Sequence, residues 1–386
     1  MTNQKGIFSC LRQGIQLLVL GFGGLAGMAD IVFEFDYSKS ADFNESGVGA
    51  VRKAALEEAA RTLGSVFEDN AVIQVEVTSE NDSRSDTLAS ASSNFVDVAF
   101  DFIGFTPSVI ERKVLQGIDD NGAEADGIVS INFGIEWDFD DEIAADKFDF
   151  KATMIHELLH ALGFASSIAP DGSDAYGFPP GEPGVWSPFD RFLSDRDGRM
   201  LIDDQFVLSG MLWESLSTGG TSPGAGLFFN GPETLDVNGG KPVGLYSPSE
   251  WSEGSSGSHL DDDNPALAGL LMLAATAAGP YTRELMDIER AMLTDLGYTL
   301  KPRQTSPVDP VENESLALQM TIRVEGGRAA ITLIGSSGRY RLEASDDFKN
   351  WEYLDDIILQ ADGDLVTLED ELFDLQFYRV LPSTEP

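Results

Sequence analysis

The hydrophobic positions along the first three hundred residues change period several times. Residues 30–38 (DIVFEFDYS) and 71–80 (AVIQVEVTSE) alternate apolar and polar, the two-residue period of a strand. Between them, Ala55, Leu56, Ala59, Ala60 and Leu63 recur at three- and four-residue spacings, which predicts an amphipathic helix over 52–67. Residues 85–95 (SDTLASASSNF) are small and polar and predict a loop, with a short helix following at 109–116. Residues 126–137 (DGIVSINFGIEW) predict a further strand. A helix is predicted from about 150 to 162, closed by Gly163, because glycine adopts the left-handed conformation that ends helices.

Residues 165–258 then lose periodicity and are rich in Gly, Pro and Ser, which predicts a large loop-rich insertion. Order returns at 266–275 and in a predicted helix over 282–296 that closes at Gly297. Residues 301–314 (KPRQTSPVDPVENE) contain three prolines and read as a linker. From 315 to 386 short alternating strands predict a small all-β sandwich. Its aromatics Tyr340, Trp351 and Phe377 are read as core, with surface attachment or carbohydrate contact as the second reading. The predicted class is therefore α/β (α+β) over 30–300, followed by the linker and the sandwich.

The N-terminus changes the picture of where the chain works. Lys5 and Arg12 precede an apolar run at 15–28, and small Gly27 and Ala29 follow in the positions of a cleavage site, so 1–29 predicts a secretory signal peptide. Removal of this segment takes the single cysteine, Cys10, with it. An exported chain without disulfides points to a bacterial source. The run at 266–278 is too short for a membrane span of about 20 residues. No stable membrane insertion is expected after signal cleavage.

Charge excludes one partner class. There are 65 acidic against 25 basic residues, a formal charge of −40. Such a surface repels nucleic acid and anionic membranes. Its plain meaning is solubility; its sharper meaning is calcium, for which Asp119, Asp120, Asn121, Asp126, Asp195 and Asp197 are candidate ligands. None of them fits the twelve-residue EF-hand loop.

The candidate chemistry lies in MIHELLHALGFASS, residues 154–167. His156 and His160 are four apart, so on a helix both imidazoles share one face and can meet one zinc ion. Glu157 stands beside the first of them, placed to reach a water on the metal and act as general base. Leu158, Leu159 and Leu162 anchor the other face. A zinc site needs a third protein ligand, and the chain has only one other histidine, His259. Asp171, Asp174 and Glu182 compete for that place, since zinc also accepts a carboxylate.

HELLHALGF, a long insertion, a lone histidine and then a methionine together resemble the leishmanolysin-like branch of the metzincin zinc proteases. The stretches FDRFLSDRDG, LYSPSEWSEGSSGSHLD and LTDLGY are similar to segments of bacterial secreted proteins of this type, and the resemblance spans roughly 30–300. It implies a twisted sheet with a zinc helix, His156, His160 and His259 as ligands, Glu157 as base, and a methionine on a tight turn beneath the metal. Met272 is the choice for that methionine, because Met286 and Met292 fall in the final predicted helix. Ser166 departs from the compact form of the motif, which has its third histidine there. The resemblance also implies that ADGIVSINF is an edge strand lining the cleft, to which a peptide substrate adds as a further strand. The expected activity is a secreted zinc endopeptidase acting on protein or peptide. The rivals are a zinc hydrolase with a carboxylate third ligand and a non-catalytic zinc-containing binding or surface protein.

Overall fold

The computed structural model describes residues 30–303 except 100 and 220–224, and beyond them the strands Gln319–Glu325, Arg328–Gly335, Gly338–Ser345, Glu352–Leu359, Asp364–Glu371 and Phe377–Pro382. The expected signal peptide, Cys10, Trp351 and all but the first residues of the expected linker lie outside the described residues. The chain divides into two compact units, Met1–Arg303 and Gln304–Pro386.

The first unit is mixed α/β. β1 (Ile31–Asp36), α1 (Val48–Gly64) and β2 (Ala71–Glu80) open it, with β1 and β2 parallel in the register Ile31↔Ala71 to Asp36↔Glu76. The predicted face of α1 is the buried one, and it packs on β1 and on the central helix α3 (Phe150–Ala161). Gly64 ends α1 where a Cβ would stand 1.9 Å from the Ile31 carbonyl oxygen, so only glycine lets helix and strand approach this closely.

After β3 (Ala89–Ser93) and β4 (Gly104–Phe105) come α2 (Val109–Gln116) and β5 (Gly127–Asn132). The four-stranded sheet has the order β1-β2-β5-β3, with β5 parallel to β2 and antiparallel to β3. Two expectations are corrected here. Residues 89–93 of the expected loop form a strand, and β5, expected at the edge, is interior: the edge belongs to β3. The sequence ASASS carries no apolar alternation, so its strand character comes from pairing with β5 and from α3, which packs against it. Small side chains are what permit that close packing.

α3 is nearly all buried, from Phe150 at 0% exposure to Ala161 at 1%. Asp149 caps it by accepting the Ala152 N–H at 3.0 Å and also holds the Arg283 guanidinium. Its last turn is tied by the Tyr298 hydroxyl, which donates to the Leu162 carbonyl at 2.6 Å.

The expected insertion contains α4 (Gly210–Leu216), α5 (Pro232–Val237) and a small three-stranded sheet from Leu193–Ser194, Phe228–Phe229 and Val243–Gly244. Its Phe189, Leu193, Phe229 and Leu245 belong to the main hydrophobic core, so this stretch is built into the unit rather than laid over it. The last helix, α6 (Asp287–Asp295), starts five residues later than its periodicity predicts. Glu289 closes a capping box with Met286 and sets that start, while Arg283, inside the predicted helix, is drawn instead to Asp149 and Asp141.

In the second unit the described strands pair antiparallel. Gln319–Glu325 pairs with Arg328–Gly335, which also pairs with Asp364–Glu371; Gly338–Ser345 pairs with both Glu352–Leu359 and Phe377–Pro382. Among the described residues no helix is long and apolar enough to cross a membrane.

Candidate metal centre

α3 carries His156 and His160 one turn apart, as the spacing requires. His259 arrives from a distant segment held on both sides: the Tyr246 N–H donates to the His259 carbonyl at 2.9 Å, and the Leu260 N–H donates to the Met272 carbonyl at 2.8 Å. The three Nε2 atoms meet at 3.1 Å (156–259), 3.1 Å (156–160) and 3.0 Å (160–259). Among the described residues this is the one group of three or more potential metal-binding side chains that converges. Asp171 and Glu182 are exposed and Asp174 is buried in a turn, where it accepts the N–H groups of Tyr176, Phe178 and Val185. None of these carboxylates joins the triad.

The opposite ring nitrogens decide what the three Nε2 atoms are. His156 Nδ1 is 2.8 Å from the Leu271 carbonyl, His160 Nδ1 is 2.7 Å from the Phe164 carbonyl, and His259 Nδ1 is 3.0 Å from the Ser255 carbonyl. A carbonyl only accepts, so each Nδ1 carries the proton and each Nε2 of the neutral ring is a bare lone pair. Three lone pairs facing one another at 3.0–3.1 Å cannot be hydrogen bonds; they repel unless a cation sits among them. The point equidistant from the three nitrogens lies about 1.8 Å from each, close to the roughly 2.0–2.1 Å bond typical of zinc and imidazole, so the three rings would fit such an ion.

Burial keeps the rings neutral. Desolvation lowers His156 below its ordinary pKa, against the pull of the Leu271 carbonyl. Desolvation, then the neighbouring His259 and His156, hold His160 well below its usual range. Desolvation, followed by His156, takes His259 to about 3. Imidazoles that resist protonation are ready ligands at neutral pH.

Gly163 explains how His160 is oriented. Its φ of +93° turns the chain off α3, and the next residue returns its carbonyl to His160 Nδ1. A Cβ at Gly163 would lie 2.5 Å from Oε1 of buried Glu111. Ser166, at the position where the compact motif has histidine, works differently here. Its hydroxyl donates to Asp190 at 2.7 Å, and its N–H donates to the Ser258 hydroxyl at 3.1 Å, tying the turn after α3 to the residue before His259.

The triad opens on a cleft of about 640 Å³. Residues 87–91, including most of β3, line it together with Tyr246, Asp262 and Tyr281, and neither Lys nor Arg lines it. Glu157, 7% exposed, lies in the cleft between α3 and β3. Desolvation pushes its carboxyl up to about 8, against the backbone N–H of Ala91. Met272 is fully buried, between Leu271, whose carbonyl holds His156, and Leu273, which lines the cleft. Met286 caps α6 and Met292 is buried within it.

The calcium candidates do not gather. Asp126 and Asp119 face Lys113 at 2.9 and 3.2 Å, and Asp120 faces Arg112 at 3.1 Å. Asp195 accepts the N–H groups of Asp197 and Arg199 in a turn.

Sequence reasoning passed over β3, the three carbonyls behind the imidazoles, and the buried carboxylates Asp190 and Glu289. Backbone acceptors leave no mark in a sequence. The two acids were hidden because an acidic residue in a chain this acidic draws no notice. In comparisons with family models, with curated proteins and with solved structures, nothing matches this chain.

Proposed function

We propose that this chain is an exported zinc-dependent endopeptidase of the metzincin type, most similar in its arrangement of motifs to the leishmanolysin-like branch. The observation that carries the reading is the convergence of three bare Nε2 atoms, from α3 and from a segment some hundred residues away, beside a buried carboxylate in an open cleft. His156, His160 and His259 would hold the metal. Bound there, zinc supplies Lewis acidity, easing the deprotonation of water and polarising a peptide carbonyl.

The chain's own groups supply the rest. Glu157, beside the triad in the cleft, takes a proton from the attacking water on a carboxylate oxygen and returns it to the departing amine. β3, at the sheet edge along the cleft, has no strand on its outer side and offers that side to an extended peptide, so binding runs through backbone hydrogen bonds with modest sequence preference. Met272, buried next to the residue whose carbonyl holds His156, would give the site an apolar base. The Gln304–Pro386 unit is read as a β-sandwich that makes surface or carbohydrate contacts, and residues 1–29 as a signal peptide.

The test is cleavage of casein or gelatin with and without a zinc chelator, in the wild type and in Glu157→Gln. The expected outcome is chelator-sensitive cleavage that falls at least about a hundredfold in the variant, the range of a lost general base. Zinc bound at one equivalent with no cleavage of diverse peptides would favour a non-catalytic metal protein. Undiminished zinc in His259→Ala would favour a carboxylate third ligand.

A further inference from the structure

Each imidazole of the triad is backed by one peptide group, but the three peptides differ in what lies behind them. The Phe164 carbonyl holds His160, and the N–H of that same peptide, on Ala165, donates to the neutral Gly163 carbonyl at 2.8 Å. The Ser255 carbonyl holds His259, and its peptide N–H, on Ser256, donates to the neutral Ser252 carbonyl at 2.9 Å. The Leu271 carbonyl holds His156, and its peptide N–H, on Met272, donates at 2.8 Å to Oε1 of Glu289.

Glu289 has 0% exposure. Its Oε2 accepts the Met286 N–H at 2.8 Å, so both oxygens receive donors; desolvation raises its carboxyl pKa, and these backbone N–H groups pull it back toward the ionised form. A buried carboxylate, one peptide group and one imidazole are therefore joined in a chain of hydrogen bonds. In a low-dielectric interior such bonds polarise one another: the carboxylate draws on the N–H, the carbonyl oxygen becomes a better acceptor, and the Nδ1 proton is held more firmly. A more electron-rich ring is a better donor at Nε2, in the way that carboxylates behind metal-bound histidines act.

We propose that Glu289 is a positioning residue for the metal centre, acting through the Leu271–Met272 peptide to fix the tautomer and orientation of His156 and to strengthen Nε2 as a ligand. The proposal rests on reading the triad as a metal site, and not on peptide hydrolysis. A wild-type chain that binds zinc but cleaves nothing ends the protease reading and leaves this one standing.

Glu289 has a second task, the cap of α6, and the test must separate the two. Zinc affinity is measured by competition with a chromogenic chelator in the wild type, in Glu289→Gln and in Met286→Pro. The proline removes the N–H that Oε2 caps, at a φ of −83° that proline tolerates, and leaves the Met272 contact in place. The expected result is a loss of affinity of about 10–100-fold in Glu289→Gln, the range for removed outer-shell partners. Met286→Pro should keep wild-type affinity while melting earlier.

Nitrogen NMR of the zinc-free wild type gives a readout that needs no variant to fold. His156 should carry its proton on Nδ1, and the Met272 amide proton, donating to an anion, should resonate downfield of those of Ala165 and Ser256. Wild-type affinity in Glu289→Gln, an equal loss in Met286→Pro, a proton on His156 Nε2, or a Met272 amide no further downfield than the other two would each overturn the proposal.

Discussion

Glu157→Gln tests the electrostatics of the centre as well as its chemistry. In the folded, zinc-free protein desolvation raises the Glu157 carboxyl from 4.5 to about 8. Between those two values the unfolded chain carries an ionised carboxylate and the folded chain a protonated one. Folding then requires proton uptake, so Glu157 costs nothing below about pH 4.5, costs more as pH rises, and levels off above about 8. At about 1.4 kcal/mol per unit, the gap of about three units at pH 7.5 sets an upper bound near 4 kcal/mol. Local relaxation and the poorly satisfied amide of the replacement reduce this to about 2 kcal/mol. Glutamine has no charge to lose, so the zinc-free variant should be more stable than the wild type at pH 7.5. For a unit of this size the gain corresponds to about 3–4 °C in Tm. The assay is thermal unfolding of both chelator-treated proteins from pH 4 to 9. Their Tm difference should favour the wild type slightly at pH 4 and shift toward the variant through the neutral range. A variant that melts below the wild type at pH 7.5, or a difference that does not depend on pH, would refute the desolvation of the Glu157 carboxyl.

Zinc at about a thousandfold excess over its Kd should stabilise the wild type by about 4 kcal/mol, because the ion links segments 99 and 103 residues apart, and His259→Ala should lose most of that Tm gain; an equal gain in the variant would remove His259 from the site. In the zinc-free protein the depressed His259 pKa means that the unfolded ring takes up a proton the folded one refuses, so stability falls as pH drops below about 6.5, and His259→Ala should flatten that fall in pH-dependent melting. Gly163→Ala places a methyl group 2.5 Å from Glu111 Oε1 at a φ of +93° and should cost about 2–4 kcal/mol; denaturant unfolding that matches the wild type within experimental error would show that the turn can relax.

The sequence by itself determined the local elements and the two histidines that share one face of α3. The period of α1, the alternation of β1 and β2, and the glycine that ends α3 are all short-range properties, and each appears close to where the pattern puts it. The pairing of His156 with His160 follows from helix geometry alone. Scarcity, with one histidine remaining, pointed to His259, but carboxylates stayed open because nothing local says which distant residue a site will meet.

Tertiary structure decided what depends on contacts across the chain. β3 has no strand pattern of its own and becomes the sheet edge because β5 and α3 give it partners. α6 starts where Glu289 finds the Met286 N–H rather than where the apolar period begins. The tautomers of the three imidazoles were set by the carbonyls of Leu271, Phe164 and Ser255, groups that every residue carries and no sequence pattern marks. Periodicity records which face of an element is buried; only the folded chain brings together the backbone groups that gather three histidines into one cluster.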